Sequence, residues 1–386
     1  MQKKLEKSKG ITLITLAVTV IVILILAGVS IRLAIGKNGI ISKAEKEKNK
    51  LEQEIQDSES KRNTILEELG KETIKENKPY IPEGFIEDKE TNLDTGLVIK
   101  DPKGNEYVWI EVPNDGTGPD YSNVKGPKDY KNIEQAIKNY TLEYDYMNYT
   151  DKWYEDMNHQ TDWFKDEMEY NNAKNNMLGS VYQNGGFYIG RYEAGIESKN
   201  RTETWDTLEI PVSKPNVYPY NYVTRTQAKV LAERLSKPKY TNTLMFGMQW
   251  DLVVKYLEIK GKKQDDGKSW GNFSDIEIKD INPNAKGSND KGKTYKYDLK
   301  RGKPKNTSVV LTTGASEYTK NQNIYDLAGN LWEWTLEYTG MPKTPCALRG
   351  ANYISEQGGV SSRVNNFTYD SGFYAGFRFA LYKNLE

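Results

Sequence analysis

Between Ile11 and Ile31 the chain runs for 21 residues without a charge, 16 of them strongly apolar. At about 1.5 Å rise per residue a helix of this length crosses the roughly 30 Å hydrocarbon core of a bilayer. Lys3, Lys4, Lys7 and Lys9 precede the segment and Arg32 follows it. Four lysines at the start hold that end in the cytoplasm, so everything after the span is expected outside the cell. The remainder of the 386 residues must then fold as a separate body, with length enough for one large domain and its own core.

One cysteine, Cys346, rules out an internal disulfide and any zinc site built on cysteine pairs. One histidine, His159, rules out a multi-histidine metal centre, and it reads as a solvated side chain. Lys and Arg total 54, as do Asp and Glu, so the chain has no general basic field for a nucleic-acid backbone. With 27 Tyr, 8 Trp and 9 Phe the composition leans toward an aromatic-rich, surface-exposed binding domain.

Downstream of the span, Lys43 to Gly70 carries 14 charges in 28 residues around a broken apolar stripe, which predicts a charged, largely solvated helical stalk. Lys78-Pro79-Tyr80-Ile81-Pro82 marks a boundary, because each proline disfavours helix at the residue before it. Strands around Gly96–Lys100 and Tyr107–Val112, joined by Asp101-Pro-Lys-Gly-Asn105, predict a hairpin that opens the globular part. From Asn114 to Ser180 the chain is rich in Asn, Asp, Lys and Tyr with little periodicity, and an irregular insertion with at most a short helix near Ile133–Tyr140 is expected. Gly186–Gly195 reads as a strand ending in a turn. Thr224 caps a helix reaching Leu235, with Val230, Leu231 and Leu235 on one face. A further helix, Gln249–Ile259, turns Trp250, Val253, Val254 and Leu257 inward. Short helices beside scattered strands predict an α+β fold. Gly287–Thr294 matches the phosphate-loop pattern, but Asn282-Pro283-Asn284 before it and Tyr295-Lys-Tyr-Asp after it supply neither the buried strand nor the helix that such a loop needs. A surface turn is expected there.

The start, KSKGITLITLAVTVIVILILAG with Lys9-Gly10 just ahead of the apolar run, resembles the class III leader of type IV prepilins. The resemblance implies cleavage by a prepilin peptidase between Gly10 and Ile11, methylation of the new N-terminus, and a helix retained for packing with other pilin subunits. The family's glutamate five residues after the cut is replaced by Thr15. A subunit without that carboxylate fits a filament tip, or a plain signal anchor. The implied organisation is a leader over 1–10, a transmembrane or pilin helix over 11–35, a stalk over 36–78 and a globular domain over 79–386 with the 114–180 insertion.

Three C-terminal pieces, Asn323-Ile-Tyr-Asp-Leu-Ala-Gly-Asn-Leu-Trp-Glu-Trp-Thr335, Leu348-Arg-Gly-Ala-Asn-Tyr353 and Ala375-Gly-Phe-Arg-Phe379, together resemble the formylglycine-generating enzyme, or sulfatase-modifying factor, family. The resemblance extends more weakly upstream to about residue 95 and implies a variant of the C-type lectin fold. Oxidase members hold copper on two cysteines after the arginine-glycine segment; the equivalent places here are Ser355 and Val360, and Cys346 lies before Arg349. Neither a hydroxyl nor a valine substitutes for a thiolate, and iron-dependent relatives need several histidines, so no copper or iron is expected. Calcium remains an option the resemblance implies, held by Asp326 and Glu333 carboxylates with the carbonyls of Gly329 and Leu331. Between these blocks Tyr353, Ser355, Gln357, Arg363, Asn365, Asn366, Tyr369 and Tyr374 have the composition of a binding loop.

The sequence thus predicts a single-pass bacterial surface protein, its C-terminal domain extracellular and in a pilus-like filament or on the cell membrane. That domain is expected to bind a glycan or a protein, as an adhesin or a minor or tip pilin, without catalysis. The alternative is a metal-dependent oxidase or modifying factor with an atypical site.

Overall fold

The structure is a computed structural model that describes residues 79–155, 163–263, 266–356 and 358–385, with Lys48, Lys50 and Gln53 upstream. The processing pair Gly10 and Ile11, the apolar span, nearly all of the stalk, His159 and Gln357 lie outside the described residues. Among the described residues no helix is long and apolar enough to cross a membrane. The chain divides into units 1–76 and 77–386, and every described strand belongs to the second.

The opening hairpin forms as its turn residues dictate. Strands β1 (Ile86–Glu87), β2 (Val98–Lys100) and β3 (Glu106–Glu111) run antiparallel, and Asp101 Oδ1 accepts the backbone N–H groups of Lys103 and Asn105 at 2.8 Å each to shape the bend. β4 (Gly186–Gly190) follows the insertion and lies against β3 in register from Tyr107↔Gly190 to Glu111↔Gly186. β5 (Tyr240–Thr243) and the final described strand complete a six-stranded antiparallel sheet. A second sheet is built from β6 (Trp332–Tyr338), β7 (Cys346–Arg349), β8 (Arg363–Asn366) and β9 (Ala375–Gly376), in the order β8-β7-β6-β9. The final described strand is β10 (Ala380–Lys383), which inserts between β4 and β5, so the large sheet has the order β1-β2-β3-β4-β10-β5. The Lys383 ammonium lies 5.2 Å from the centre of the Tyr80 ring, so the first and last described segments of this unit meet.

Among the described residues four α-helices pack on the sheets or on one another, giving an α+β domain. Helix α1 is Tyr130–Tyr140 and α2 is Glu167–Asn184. α2 corrects the expectation of an irregular insertion with at most one short helix: 18 residues long, it starts where Asp166 accepts the Glu169 N–H at 2.8 Å and stops at Gly185 with φ 71°. α3 is Arg225–Glu233, entered through a capping box between Thr224 and Gln227. Its inner face is Ala228, Leu231 and Ala232, and Val230, expected inside, is 45% exposed. α4 is Gly247–Ile259; its Trp250, Val253, Val254 and Leu257 are buried as expected. α4 packs against both β3 and β6 and so joins the two sheets. Trp250 and Trp334 are buried with their ring N–H groups satisfied, donating to the carbonyls of Val360 at 2.7 Å and Val223 at 2.9 Å. Gly287–Thr294 begins as a two-residue bridge strand and is followed by no helix, so the phosphate-loop match is only a match of letters.

Candidate functional site: a charged cleft under the insertion

The segment after α1 lies across the open end of the second sheet. Thr150 and Tyr338 exchange backbone hydrogen bonds at 2.8 Å each, and the Tyr154 ring stacks on Tyr338 at 4.7 Å and on Trp163 at 4.8 Å. Beneath this strap is a cleft of about 490 Å³ that Asp151, Gly247, Met248, Asp251, Glu337, Tyr338 and Arg363 help to line. A neighbouring hollow of about 410 Å³ shares Asp145 and Arg363 with it and is walled by Tyr144, Tyr146 and Trp332.

The floor between them is a closed ring of alternating charge. Asp251, from α4, accepts Arg349 Nη2 at 2.7 Å and Arg363 Nη2 at 2.8 and 2.9 Å. Glu337, from β6, accepts Arg349 Nη1 and Arg363 Nε at 3.1 Å each. Strand register forces the two guanidiniums together, since Arg349 and Arg363 are direct cross-strand partners, and two carboxylates are what such a pair requires. Arg363 Nη1 also donates to the Tyr144 carbonyl at 2.7 Å, which fastens the insertion to the ring. Gly247 has no side chain where a Cβ would stand 2.8 Å from Glu337 Cδ.

Asp151 is the odd member. It is buried, and its two oxygens accept the first backbone N–H groups of α4, Gly247 at 2.7 Å and Met248 at 2.8 Å. Lys174 of α2 donates to the Asp151 backbone carbonyl at 3.1 Å and is paired with Glu134 at 3.3 Å. Burial first, and then the neighbouring Glu337 charge, push the Asp151 carboxyl up to about 7 against the two amide donors and Lys174.

A second buried charge cluster lies under the Asn323–Thr335 segment. Arg378 donates to Glu333 from Nε at 3.0 and 3.1 Å and from Nη2 at 2.7 Å, and to the carbonyls of Gly190 and Tyr325 at 2.9 Å each. Glu193 accepts Asn330 Nδ2 at 2.6 Å and the Leu331 N–H at 2.9 Å; burial, with Asp326 and Glu333 nearby, holds it well above the usual carboxylate range. Asp326 sits at φ 59° and accepts the Gly314 N–H at 2.7 Å. Gly329, at φ 78°, passes so close to Asn272 that a Cβ would stand 2.4 Å from its carbonyl oxygen. Of the Asp326, Gly329, Leu331 and Glu333 set, Glu333 is chelated by the Arg378 guanidinium, and no group of three or more His, Cys, Asp or Glu side chains that could hold a metal ion occurs among the described residues.

The residues read from sequence as a binding loop go to different places. Tyr353 is 2% exposed and packs with Val310 and Leu331, and Arg363 belongs to the charge ring. Ser355 donates to Asn352 at 3.0 Å. Asn365 bonds Thr344, and Asn366 donates to the Tyr374 hydroxyl at 3.1 Å, which in turn bonds Asp370. Tyr369 is 55% exposed and stacks on Phe367. Cys346 is buried in β7, its Sγ 3.8 Å from the Tyr154 hydroxyl. Sequence reasoning missed Asp151, Asp251 and Glu337 as members of one site; of the ring it singled out only Arg349, within the Leu348–Tyr353 stretch, and Arg363, within the binding-loop set.

No protein-family model matches the chain, and no curated protein is similar to it at a significant level. Solved structures to which it is similar include CarF, at 14% identity over 52% of this chain and 87% of that one with a TM-score of 0.33. Treponema denticola variable protein 1 is similar at 15% identity over 51% and 84%, TM-score 0.30. PvdO from Pseudomonas aeruginosa is similar at 19% identity over 52% and 81%, TM-score 0.26.

Proposed function

We propose that the domain is a catalytically silent binding module of the formylglycine-generating type, carried outside the cell by the N-terminal apolar helix. The prepilin-like leader makes it a minor or tip subunit of a pilus-like filament, cut between Gly10 and Ile11. The observation that carries the silent reading is the closed Asp251–Arg349–Glu337–Arg363 ring. Each of the four ring charges is committed to an opposite charge, which fixes the shape of the cleft and leaves none of them poised as a base or nucleophile, and the Asp151 carboxylate is taken up by the first two amides of α4. The chain's one thiol lies in β7 against Tyr154, and Ser355 and Val360 stand at the copper-binding places, so oxygen activation on sulfur has no equipment here.

Two measurements test this. Purified full-length chain, incubated with copper and a cysteine-containing peptide under air, is expected to convert no peptide cysteine to the formylglycine aldehyde beyond a protein-free control; aldehyde formation abolished by Cys346→Ser installs the enzyme reading instead. Mass spectrometry of the mature N-terminus is expected to find Ile11, methylated, as the first residue; Met1 retained removes the filament role and leaves an anchor.

A further inference from the structure

Arg201 is 2% exposed, and its guanidinium donates to six backbone carbonyls. Nε reaches Asn221 at 3.1 Å, Nη1 reaches Asp206 and Thr207 at 2.7 and 3.1 Å, and Nη2 reaches Glu203, Thr204 and Tyr222 at 3.3, 2.9 and 2.9 Å. Asp206 closes the same turn from its other side, accepting the N–H groups of Thr202 at 2.6 Å and Glu203 at 3.2 Å. Desolvating a cation is costly, and here the loop it shapes supplies the compensation. At the apex of that loop Trp205 is 88% exposed. An indole held in water on so constrained a turn adds nothing to the core; it is an anchor whose ordering entropy has been settled in advance of a contact.

A second exposed aromatic pair lies on a loop tied to the first. Phe367 and Tyr369 are 41% and 55% exposed and stack with centroids 5.1 Å apart and planes 21° apart, while Thr368 between them is buried. The hydroxyls of Thr204 and Ser371 are hydrogen-bonded across the two loops. Tyr222, whose carbonyl takes Arg201, donates its N–H to Gly372 at 3.2 Å, and Asn221 Nδ2 donates to the Phe373 carbonyl at 3.2 Å. Both loops therefore hang from one strut, Asn221-Tyr222.

Charge selects the occupant. Residues 202–207 and 365–374 contain no Lys or Arg and carry Glu203, Asp206 and Asp370, which outnumber Lys291, whose ammonium lies 4.9 Å from the centre of the Phe373 ring, and this balance disfavours phosphate-bearing and acidic partners. Exposed ring faces set among hydroxyls, amides and carboxylates match a molecule with one C–H face and an edge of hydroxyl donors. We propose that the Trp205 turn and the Phe367–Tyr369 pair form a landing surface for a neutral oligosaccharide. This rests on the binding reading above and names its ligand class.

The test is saturation-transfer NMR on the full-length chain with maltopentaose, cellopentaose and chitotetraose, and with a deca-lysine peptide as the rival that acidic, aromatic surfaces also attract. At least one oligosaccharide is expected to bind at roughly millimolar strength. Trp205→Ala and the double variant Phe367→Ala/Tyr369→Ala are expected to weaken it at least about tenfold, with Trp205→Phe keeping most of it. No transfer from any of the three sugars at roughly ten times that concentration, binding indifferent to both variants, or binding of deca-lysine alone each overturns the proposal. Since aldehyde formation is assayed separately, a silent chain that binds no sugar sinks this surface without touching the non-catalytic reading.

Discussion

Asp151 ties the insertion to the first turn of α4, and it does so as a buried carboxylate facing another, so raising the pH should work against the fold. The sign comes from the shift. The folded group titrates at about 7 against an ordinary 3.8, so its protonated form is favoured by folding. That contribution is fully present below pH 3.8 and is lost as pH rises through 7. Integrated over the window from pH 5 to pH 8, a single such group removes about 2.5 kcal/mol of unfolding free energy, and about 4 kcal/mol over the whole range. At a denaturant slope of about 3 kcal/mol per molar the midpoint of urea unfolding falls by about 0.8 M between those two pH values. Asp151→Asn removes the titration while leaving one carbonyl oxygen to accept an α4 amide, at a pH-independent cost of about 1 kcal/mol for the weaker cap. Followed by tryptophan fluorescence, the wild-type midpoint should therefore drop more steeply than that of the variant. Glu193, Asp326, Glu333 and Asp251 are also raised by burial and act with the same sign, but they are common to both proteins and cancel in the comparison. Parallel curves for the two proteins from pH 5 to 8 would refute the reasoning.

The same geometry sets other outcomes. Arg349→Ala leaves Asp251 and Glu337 buried with one guanidinium between them and should cost about 3–5 kcal/mol in urea unfolding. Gly329→Ala puts a methyl 2.4 Å from the Asn272 carbonyl oxygen at φ 78° and should lower soluble yield or cost more than about 2 kcal/mol, since backbone on both sides must give. Thr224→Ala breaks the capping box of α3 for about 1 kcal/mol, read as a lowered thermal midpoint. Chelation with EDTA should leave the thermal midpoint where it was, because the positive charge at Glu333 belongs to Arg378; a drop restored by calcium would show that the cluster holds an ion after all.

What the sequence made legible was local. The hairpin, β4, the Thr224 cap and the inner face of α4 each announce themselves within a dozen residues, through turn chemistry, capping or periodicity. Helix α2 was missed because its inner residues, Tyr170, Met177, Leu178 and Val181, are interleaved with asparagines that blur the helical period, although Asp166 and Gly185 carried both end signals. Val230 was misplaced because the inner stripe of α3 is made of alanines beside one leucine, and small residues weigh little in a hydropathy pattern. The cleft was beyond reach for a different reason: Asp151, Asp251, Glu337, Arg349 and Arg363 are scattered over more than two hundred positions and meet only when strand register and a helix end are set. Polar letters between Ile354 and Tyr374 looked like surface, yet Arg363 among them closes an internal ring.

β10 is the keystone of the large sheet. It occupies an interior position although every other described strand precedes it in the chain, so β4 and β5 have no shared neighbour until Ala380–Lys383 has been synthesised. A nascent or clipped chain lacking those four residues presents two unsatisfied strand edges at once, the condition under which β proteins pair with the wrong partner. The large sheet therefore closes only on copies that carry β10, and any copy without it keeps both of those edges open.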